Sequence, residues 1–248
     1  MQNILLRIAY DGTDFSGYQE QIGKRTVAGI LREAVEAVTL RSTRLLAAGR
    51  TDRGVHAEEQ AVNFLTSLDW PEEAFFHAIQ NRLPEDVLLL SAQKMAPTFH
   101  ARFSPHVTTY RFTVENAALL LPTERRNIFL YTFPLDYERM QAAVQCFEGE
   151  HDFSAFSSAA PYRNAYRKVL HAEVTKSGNR YCFRFSAESF LQYQVRRMVG
   201  ASLLVGRGAL TLQKMQDALL SHYDESFGFC ADAQGLVLES VRYIKKPR

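Results

Sequence analysis

The sequence predicts an α+β fold made of two tandem ferredoxin-like halves, each of the split βαβ, RRM-like type. Strand and helix signals in the first half of the chain follow the order β-α-β-β-α-β, and the second half repeats that order with extra elements. The 248 residues, 46% of them hydrophobic, suffice to build two small cores. We therefore expect a joined antiparallel sheet and a central cleft, with the halves at residues 1–104 and 105–248.

The elements of the first half follow from apolar spacing and turn signals. An Ile- and Leu-rich run over residues 3–10 stops at an Asp-Gly pair and is typical of a strand. Apolar residues recur at helical spacing over 27–38, directly after Thr26 in the N-cap position. The other predicted elements are strands at 45–48 and 59–65, a helix from 70 to about 83, and a strand at 87–95.

The second half contains the same kinds of signals on different residues. A helix is predicted over 136–147, where apolar residues occupy one face and Gly149 follows the end. The polar stretch 101–107 is the predicted boundary between the halves. The other predicted elements are strands at 108–115, 128–133, 168–175, 181–186 and 236–244, and helices at 190–204 and 212–222.

The total charge does not by itself indicate a nucleic-acid partner, because 29 basic and 27 acidic side chains give a net charge of only +2. The distribution is more informative. A single basic cluster is typical of a solvated face, but several together are compatible with a groove for RNA. The clusters lie at 41/44/50/53, 125/126, 163/167/168, 196/197 and 245/246/248.

The sequence contains few motifs that indicate a cofactor or a cellular compartment. Three widely spaced cysteines without a C-x-x-C pair indicate neither a disulfide framework nor a structural zinc site, and they fit a reducing compartment. Histidines lack ligand spacing, and neither a P-loop nor a G-x-G-x-x-G segment is found. We expect a soluble, cytoplasmic protein without a membrane segment, a metal or a cofactor.

The segment 49–57 is the strongest candidate for chemistry. It places Asp52 between Arg50 and Arg53 in a glycine-bounded turn that follows one predicted strand and precedes another. A plain capped turn is the more frequent explanation for such a loop taken alone. Flanking guanidinium groups favour the ionised form of a carboxylate, which suits a nucleophile and not a general acid.

Two further candidates lie in the second half of the chain. Arg196 and Arg197 are adjacent in an otherwise apolar predicted helix, so they cannot share a face. Arg197 is expected at the helix edge, and an inward Arg196 would need a carboxylate partner such as Asp52. Tyr110 is either an ordinary core residue of a strand, or a stacking surface or weak base beside a nucleobase. His56 is expected to be structural.

Several motifs together resemble those of the tRNA pseudouridine synthase A family and span nearly the whole chain. Segment 49–57 is similar to that family's G-R-T-D-x-G-V-H-A motif, the most specific of the matches. The other similar segments are 10–19, 99–104 with 110–112, 151–156, 190–200 and 235–238. Tyr18 stands where the family usually has Trp, Gln192-Tyr193 depart from its usual residues, and segment 157–167 is less familiar.

The resemblance implies a role for each candidate. Asp52 would be the nucleophile that attacks a uridine nucleotide, so that the uracil is detached, rotated and rejoined through carbon. Arg50 would hold the target base out of the stack. Tyr110 would pack against that base, and its second candidate role is to remove the proton from C5. Arg196 would pair with Asp52, and Leu236 would line the pocket.

The resemblance also implies a substrate and an assembly. The family acts on the anticodon arm of tRNA, at positions 38–40, as homodimers with a basic cleft and without a metal or cofactor. Two alternatives remain open at the level of sequence. The first is a non-catalytic tRNA-binding or folding protein on the same scaffold, suggested by the departures at Tyr18 and Gln192-Tyr193. The second is an unrelated duplicated enzyme that acts on a small molecule.

Overall fold

The computed structural model describes residues 1–158, 164–220 and 227–244. They form two compact units, which we call the first unit (Met1–His106 with Leu238–Arg248) and the second unit (Val107–Val237). Both combine helices with mostly antiparallel strands, which confirms the predicted α+β class. The strand at the end of the chain belongs largely to the first unit.

The strands are β1 (Gln2–Tyr10), β2 (Leu46–Ala47), β3 (His56–Thr66), β4 (Val87–Met95), β5 (His106–Glu115), β6 (Phe129–Leu130), β7 (Gly149–Asp152), β8 (Tyr166–Ser177), β9 (Arg180–Ala187) and β10 (Leu236–Tyr243). The helices are α1 (Val27–Thr39), α2 (Glu72–Gln80), α3 (Tyr137–Gln145), α4 (Gln194–Gly206) and α5 (Leu212–Leu220). Short 3-10 turns lie at Ser154–Phe156 and Ala233–Gly235. Each predicted helix and strand is present.

The first unit is built on β1, which pairs antiparallel with both β3 and β4. Its strand order is β4-β1-β3-β10, with the short β2 paired to β3. Ile4, Leu6 and Ile8 of β1 are fully buried, and Asn3 and Leu5 on its other face are buried as well, so this central strand is covered on both faces. The Thr26 hydroxyl caps α1 by accepting a hydrogen bond from the Gly29 N–H at 3.3 Å, which confirms the predicted cap.

In the second unit, β9 pairs antiparallel with β5 and β8, and β7 pairs with β8. A cluster of buried aromatic rings forms its core, with Phe147 packed against Phe153, Phe156 and Phe185. Asp136 caps α3 by accepting from the Arg139 N–H at 3.0 Å. The predicted helix at this place is confirmed.

Helix α4 and strands β6 and β7 differ from the predictions. Helix α4 begins at Gln194 and not at residue 190, because Tyr193 adopts a left-handed conformation with φ 64° and breaks the helical path. Strand β6 is two residues long and runs parallel to β5. Strand β7 was not predicted, because its four mostly polar residues carry no alternating pattern.

Some expectations fall outside the described residues. The predicted helix 212–222 is described as far as Leu220, and the last two of its residues are not described. Arg163 and the basic cluster at 245, 246 and 248 are likewise outside the described residues. Within the described ranges, no helix is long and apolar enough to cross a membrane.

Candidate active site

Residues 49–55, which we call the Asp52 loop, connect β2 to β3 in the first unit. The carbonyl of Gly49 accepts a hydrogen bond from Nε2 of the buried Gln60 at 3.1 Å. The Val55 N–H closes the turn onto the Asp52 carbonyl at 3.2 Å. Gly54 has φ +79°, so the glycine predicted to permit a tight turn does so.

A second loop, residues 11–18, packs directly against the backbone of the Asp52 loop. The Tyr18 N–H donates to the Thr51 carbonyl at 3.0 Å. A Cβ on Gly12 would lie only 2.0 Å from the Val55 carbonyl oxygen. Gly17, with φ +92°, lies so close that a Cβ would be 3.2 Å from both the Thr51 oxygen and the Arg53 nitrogen. The two loops therefore fit together only with glycine at these positions.

A buried hydrogen bond between the side chains of Tyr10 and Thr51 supports the Asp52 loop. The hydroxyl oxygen of Tyr10 lies 2.8 Å from Oγ1 of Thr51, and both side chains are buried. Burial raises the pKa of Tyr10 to about 12, while its hydrogen bonds to Thr51 and Gln60 act in the opposite direction. Since Thr51 precedes Asp52, this hydrogen bond fixes the backbone from which the carboxylate projects.

His56 lies at the start of β3 and is buried. Its Nδ1 is 3.1 Å from the Gly12 N–H donor and 3.1 Å from Oδ1 of Asp11. These contacts tie β3 to the second loop, in agreement with the structural role expected for His56.

The side chains of the Asp52 loop differ in exposure. Asp52 is half-buried, whereas Arg50 and Arg53 are exposed. A carboxylate in this position remains accessible to a ligand while its backbone is fixed on several sides. Such a group can act as a nucleophile, and the exposed guanidinium groups can contact a polyanion.

Arg196 lies in the first turn of α4, in the second unit. Its Nε donates to the Ala231 carbonyl at 2.6 Å, and its guanidinium carbon lies 5.4 Å from the centre of the Tyr193 ring. The side chain is half-buried. Nη1 of Arg197 lies 3.5 Å from the Gly228 carbonyl, so the two arginines contact different parts of the chain.

Tyr110 and Leu236 also belong to the second unit. Tyr110, on β5, is 9% exposed and meets the Phe190 ring edge-on at a centroid distance of 5.5 Å. Leu236, the first residue of β10, is 5% exposed and follows the turn at Gly235. The structure thus places Arg50 and Asp52 on one loop of the first unit, and Tyr110, Arg196 and Leu236 in the second unit.

Sequence reasoning missed the residues that hold the Asp52 loop. Tyr10, Thr51 and Gln60 are polar residues in or beside buried strands, and that mismatch with an apolar environment is the signal that points to them. Within the described residues, the buried hydroxyl of Tyr18 has no hydrogen-bond partner. Burial raises the pKa of this tyrosine as well.

The described part of the chain contains no group of three or more His, Cys, Asp or Glu side chains arranged to hold a metal ion.

Comparisons with known proteins match almost the whole chain. A family model described as tRNA pseudouridine synthase covers residues 7–104 and 143–244. Asp52, Arg50, Arg196 and Leu236 lie inside these ranges, and Tyr110 lies between them.

Curated relatives named tRNA pseudouridine synthase A show the same similarity. The protein from Chloroflexus aurantiacus is 38% identical over 250 aligned positions, covering 98% of this chain and 89% of the relative. The protein from Halalkalibacterium halodurans is 36% identical, with coverage of 96% and 91%. A Clostridium perfringens relative named tRNA pseudouridine synthase A 2 is 34% identical, with coverage of 98% and 100%. This chain therefore belongs to the tRNA pseudouridine synthase family.

Proposed function

We propose that this protein converts uridine to pseudouridine in the anticodon stem-loop of tRNA, with Asp52 as the nucleophile. The observation that carries the proposal is the Asp52 loop itself. Its backbone is fixed by Gln60, by Tyr18 and by the Tyr10–Thr51 hydrogen bond, while the Asp52 side chain is half-buried. A fixed backbone with an accessible carboxylate is what nucleophilic catalysis requires.

The reaction is an isomerisation of the nucleotide. The ionised carboxylate of Asp52 attacks the uridine nucleotide, and the bond between N1 of the uracil and C1′ of the ribose breaks. The uracil rotates, and a new bond forms between C5 and C1′. C5 loses its proton, N1 gains one, and the bond between Asp52 and the nucleotide breaks, so that substrate and product have the same composition and Asp52 is regenerated.

The target uridine must leave the base stack before this chemistry can occur, at a cost of about a few kcal/mol. We propose that Arg50 takes the place of the lost neighbours, since its side chain is exposed beside Asp52. Tyr110 packs against the extruded base and Leu236 supplies an apolar wall. Both are buried apolar-bodied side chains, as a pocket for a flat base requires.

Arg196 is proposed as the partner of Asp52 in the working enzyme. A guanidinium beside the carboxylate keeps it ionised and oriented. The short hydrogen bond from Nε of Arg196 to the Ala231 carbonyl supports this role, because it holds the side chain in one conformation and so orients the guanidinium group.

The architecture proposed for this function consists of two tandem ferredoxin-like halves, 1–104 with the Asp52 loop and 105–248, which share an antiparallel sheet and leave a cleft for RNA. The strand order β4-β1-β3, with β2 paired to β3, supports such a half in the first unit. We further propose that the protein acts in the cytoplasm as a homodimer, binds the anticodon arm, and requires no metal or cofactor.

The test is release of tritium from tRNA labelled at C5 of uridine. Asp52→Asn and Asp52→Ala are expected to abolish release, by more than about 10⁴-fold, because removal of a catalytic nucleophile has losses of that order. Binding of tRNA is expected to persist within about twofold. Asp69→Asn is the matched control, since this aspartate is 93% exposed and makes only surface contacts, a hydrogen bond from Nε2 of Gln2 and an ion pair with Lys94 at 3.8 Å.

The outcomes separate the proposal from its alternatives. Release by Asp52→Asn at the wild-type rate would exclude Asp52 as the nucleophile. A wild-type protein that binds tRNA but never releases tritium would be a non-catalytic binding protein.

A further inference from the structure

Residues 99–104, which we call the Phe103 loop, lie between β4 and β5 in the first unit and have no role in the chemistry above. Phe103 is 74% exposed, the highest value for an aromatic side chain in the described residues. A single exposed apolar residue is ordinary on a mobile surface loop. The backbone of this loop, however, is held by buried groups.

Two buried asparagines hold the Phe103 loop. Nδ2 of Asn3 donates to the carbonyl of Phe99 at 2.8 Å. Oδ1 of Asn63 accepts from the Ala101 N–H at 2.8 Å, and Nδ2 of Asn63 donates to Oδ1 of Asn3 at 2.7 Å. Burying an amide costs free energy unless it is hydrogen-bonded, and these two amides bond each other and the backbone of Ala96, Phe99 and Ala101.

The last strand adds a third attachment. The Tyr243 hydroxyl donates to the Ala101 carbonyl at 2.8 Å, and its ring packs on Phe99 at 4.8 Å. Inside the loop, the N–H groups of Phe103 and Ser104 both donate to the His100 carbonyl, at 3.1 and 2.8 Å. The exposed phenylalanine therefore projects from a rigid base.

The side chains around Phe103 extend its flat surface. The His100 ring lies 4.4 Å from the Phe103 ring with an angle of 37° between them. The guanidinium carbon of Arg102 lies 5.9 Å from the centre of the same ring, and Arg102 is exposed. An aromatic ring flanked by an imidazole and a guanidinium is the arrangement on which nucleobases stack.

We infer that the Phe103 loop is a stacking site for an unpaired base of the tRNA substrate. The inference rests on the proposed function, which supplies the RNA. Segment 96–105 contains no Asp or Glu, so nothing in it repels a phosphate backbone. Because the loop is already rigid, little conformational entropy is lost when a base binds.

A second protein chain fits this surface less well than RNA. The centre of a protein interface is depleted in charge and consists of several contiguous apolar residues. Here one aromatic ring lies between Arg102 and His100, and the exposed residues just before the loop are Ala96, Pro97 and Thr98. The chemistry favours a flat, aromatic and anionic ligand.

The test compares Phe103→Leu with the wild type in tRNA binding at fixed ionic strength, using an unmodified tRNA transcript. Loss of one stacked base is expected to weaken binding about 5- to 100-fold. Phe103→Trp is expected to retain affinity, and its added tryptophan fluorescence should be quenched by tRNA. Phe133→Leu is the matched control, because Phe133 is 51% exposed beneath Arg207 at 4.3 Å, in the second unit.

Each outcome bears on the inference separately from the proposed function. Binding by Phe103→Leu within twofold of the wild type, an equal loss in Phe133→Leu, or unquenched fluorescence in Phe103→Trp would overturn the stacking site. A change of sedimentation in Phe103→Leu without RNA would instead assign the loop to a protein interface. Tritium release by the wild type, measured alongside, reports on the proposed function alone.

Discussion

The Asp52 loop and the Phe103 loop both lie in the first unit, and both present a side chain with a proposed role from a fixed backbone, but different groups fix them. Hydroxyls of Tyr10 and Thr51 and close glycine contacts hold the first. The amides of Asn3 and Asn63 hold the second. In each case the anchored residue is close in sequence to that side chain, since Thr51 precedes Asp52 and Ala101 lies two positions before Phe103. In both loops, buried polar groups therefore hold the backbone rigid while the side chain stays accessible to a ligand.

The largest loss of stability is expected from Gly12→Ala. The new Cβ would lie 2.0 Å from the Val55 carbonyl oxygen, so the two loops must separate. We expect a loss of about 3 kcal/mol in the free energy of unfolding, measured by urea denaturation. Catalysis should fall by about 100-fold, because displacement of a catalytic group by about 1 Å has effects of that size.

Gly49→Ala is the control for this substitution, since nothing lies within 4 Å of the Cβ that it adds at the start of the Asp52 loop. Its unfolding free energy should stay close to that of the wild type. Equal losses in the two variants would show that the packing of the loops is not what fixes Asp52.

Asn63→Ala tests the anchor of the Phe103 loop. It removes the acceptor for the Ala101 N–H and the donor to Asn3, leaving buried polar groups unpaired. We expect a loss of about 2 to 3 kcal/mol in unfolding free energy and weaker tRNA binding, with single-turnover catalysis at saturating enzyme unchanged.

Asn116→Ala is the matched control, because its amide also donates to two backbone carbonyls, at 2.7 and 2.8 Å, but in the second unit. It should leave tRNA affinity unchanged. If both asparagine variants weaken tRNA binding alike, the anchor has no specific role in RNA recognition.

High pH should weaken the anchor of the Asp52 loop. The pKa of Tyr10 is raised from 10.0 to about 12 by burial, so the unfolded chain loses this proton first. Stability contributed by neutral Tyr10 is complete below pH 10 and is lost between pH 10 and 12, by up to about 1.4 kcal/mol per pH unit. In Tyr10→Phe the slope of unfolding free energy against pH should be shallower in this window, and an unchanged slope would contradict the assignment.

The smallest change in stability is expected from Tyr18→Phe, and this substitution should raise the stability where the others lower it. The Tyr18 hydroxyl is buried without a hydrogen-bond partner among the described residues, so its removal should relieve a desolvation cost of about 1 kcal/mol. A Tm higher by about 2 to 4 °C is expected for a chain of this length. A lower Tm would mean that this hydroxyl is bonded in solution.

Local signals made most of the fold predictable. Strand β4 and the Thr26 cap of α1 match the sequence, because apolar spacing and capping residues act over a few positions. The start of α4 was not predictable in this way, since helical apolar spacing continues through Tyr193 although its backbone is left-handed. Strand β7 has no such pattern and forms because β8 offers it an edge.

The candidate site likewise has one part that the local sequence predicts and another part that it does not. Asp52 is marked locally, by a glycine-bounded turn with flanking arginines. Its anchor is not, because Tyr10 and Thr51 are 41 residues apart and meet only through the pairing of β1 with β3. Asn63 and Ala101 are 38 residues apart and meet in the folded chain for a similar reason. Contacts of this kind depend on tertiary structure, and no local pattern encodes them.

The most direct test of this division between chemistry and binding is single-turnover tritium release, with enzyme in saturating excess over C5-labelled tRNA. Phe103→Leu is expected to release tritium at the wild-type rate once bound, whereas Asp52→Asn is expected to bind tRNA and release none. Release by Asp52→Asn at the wild-type rate would contradict the account.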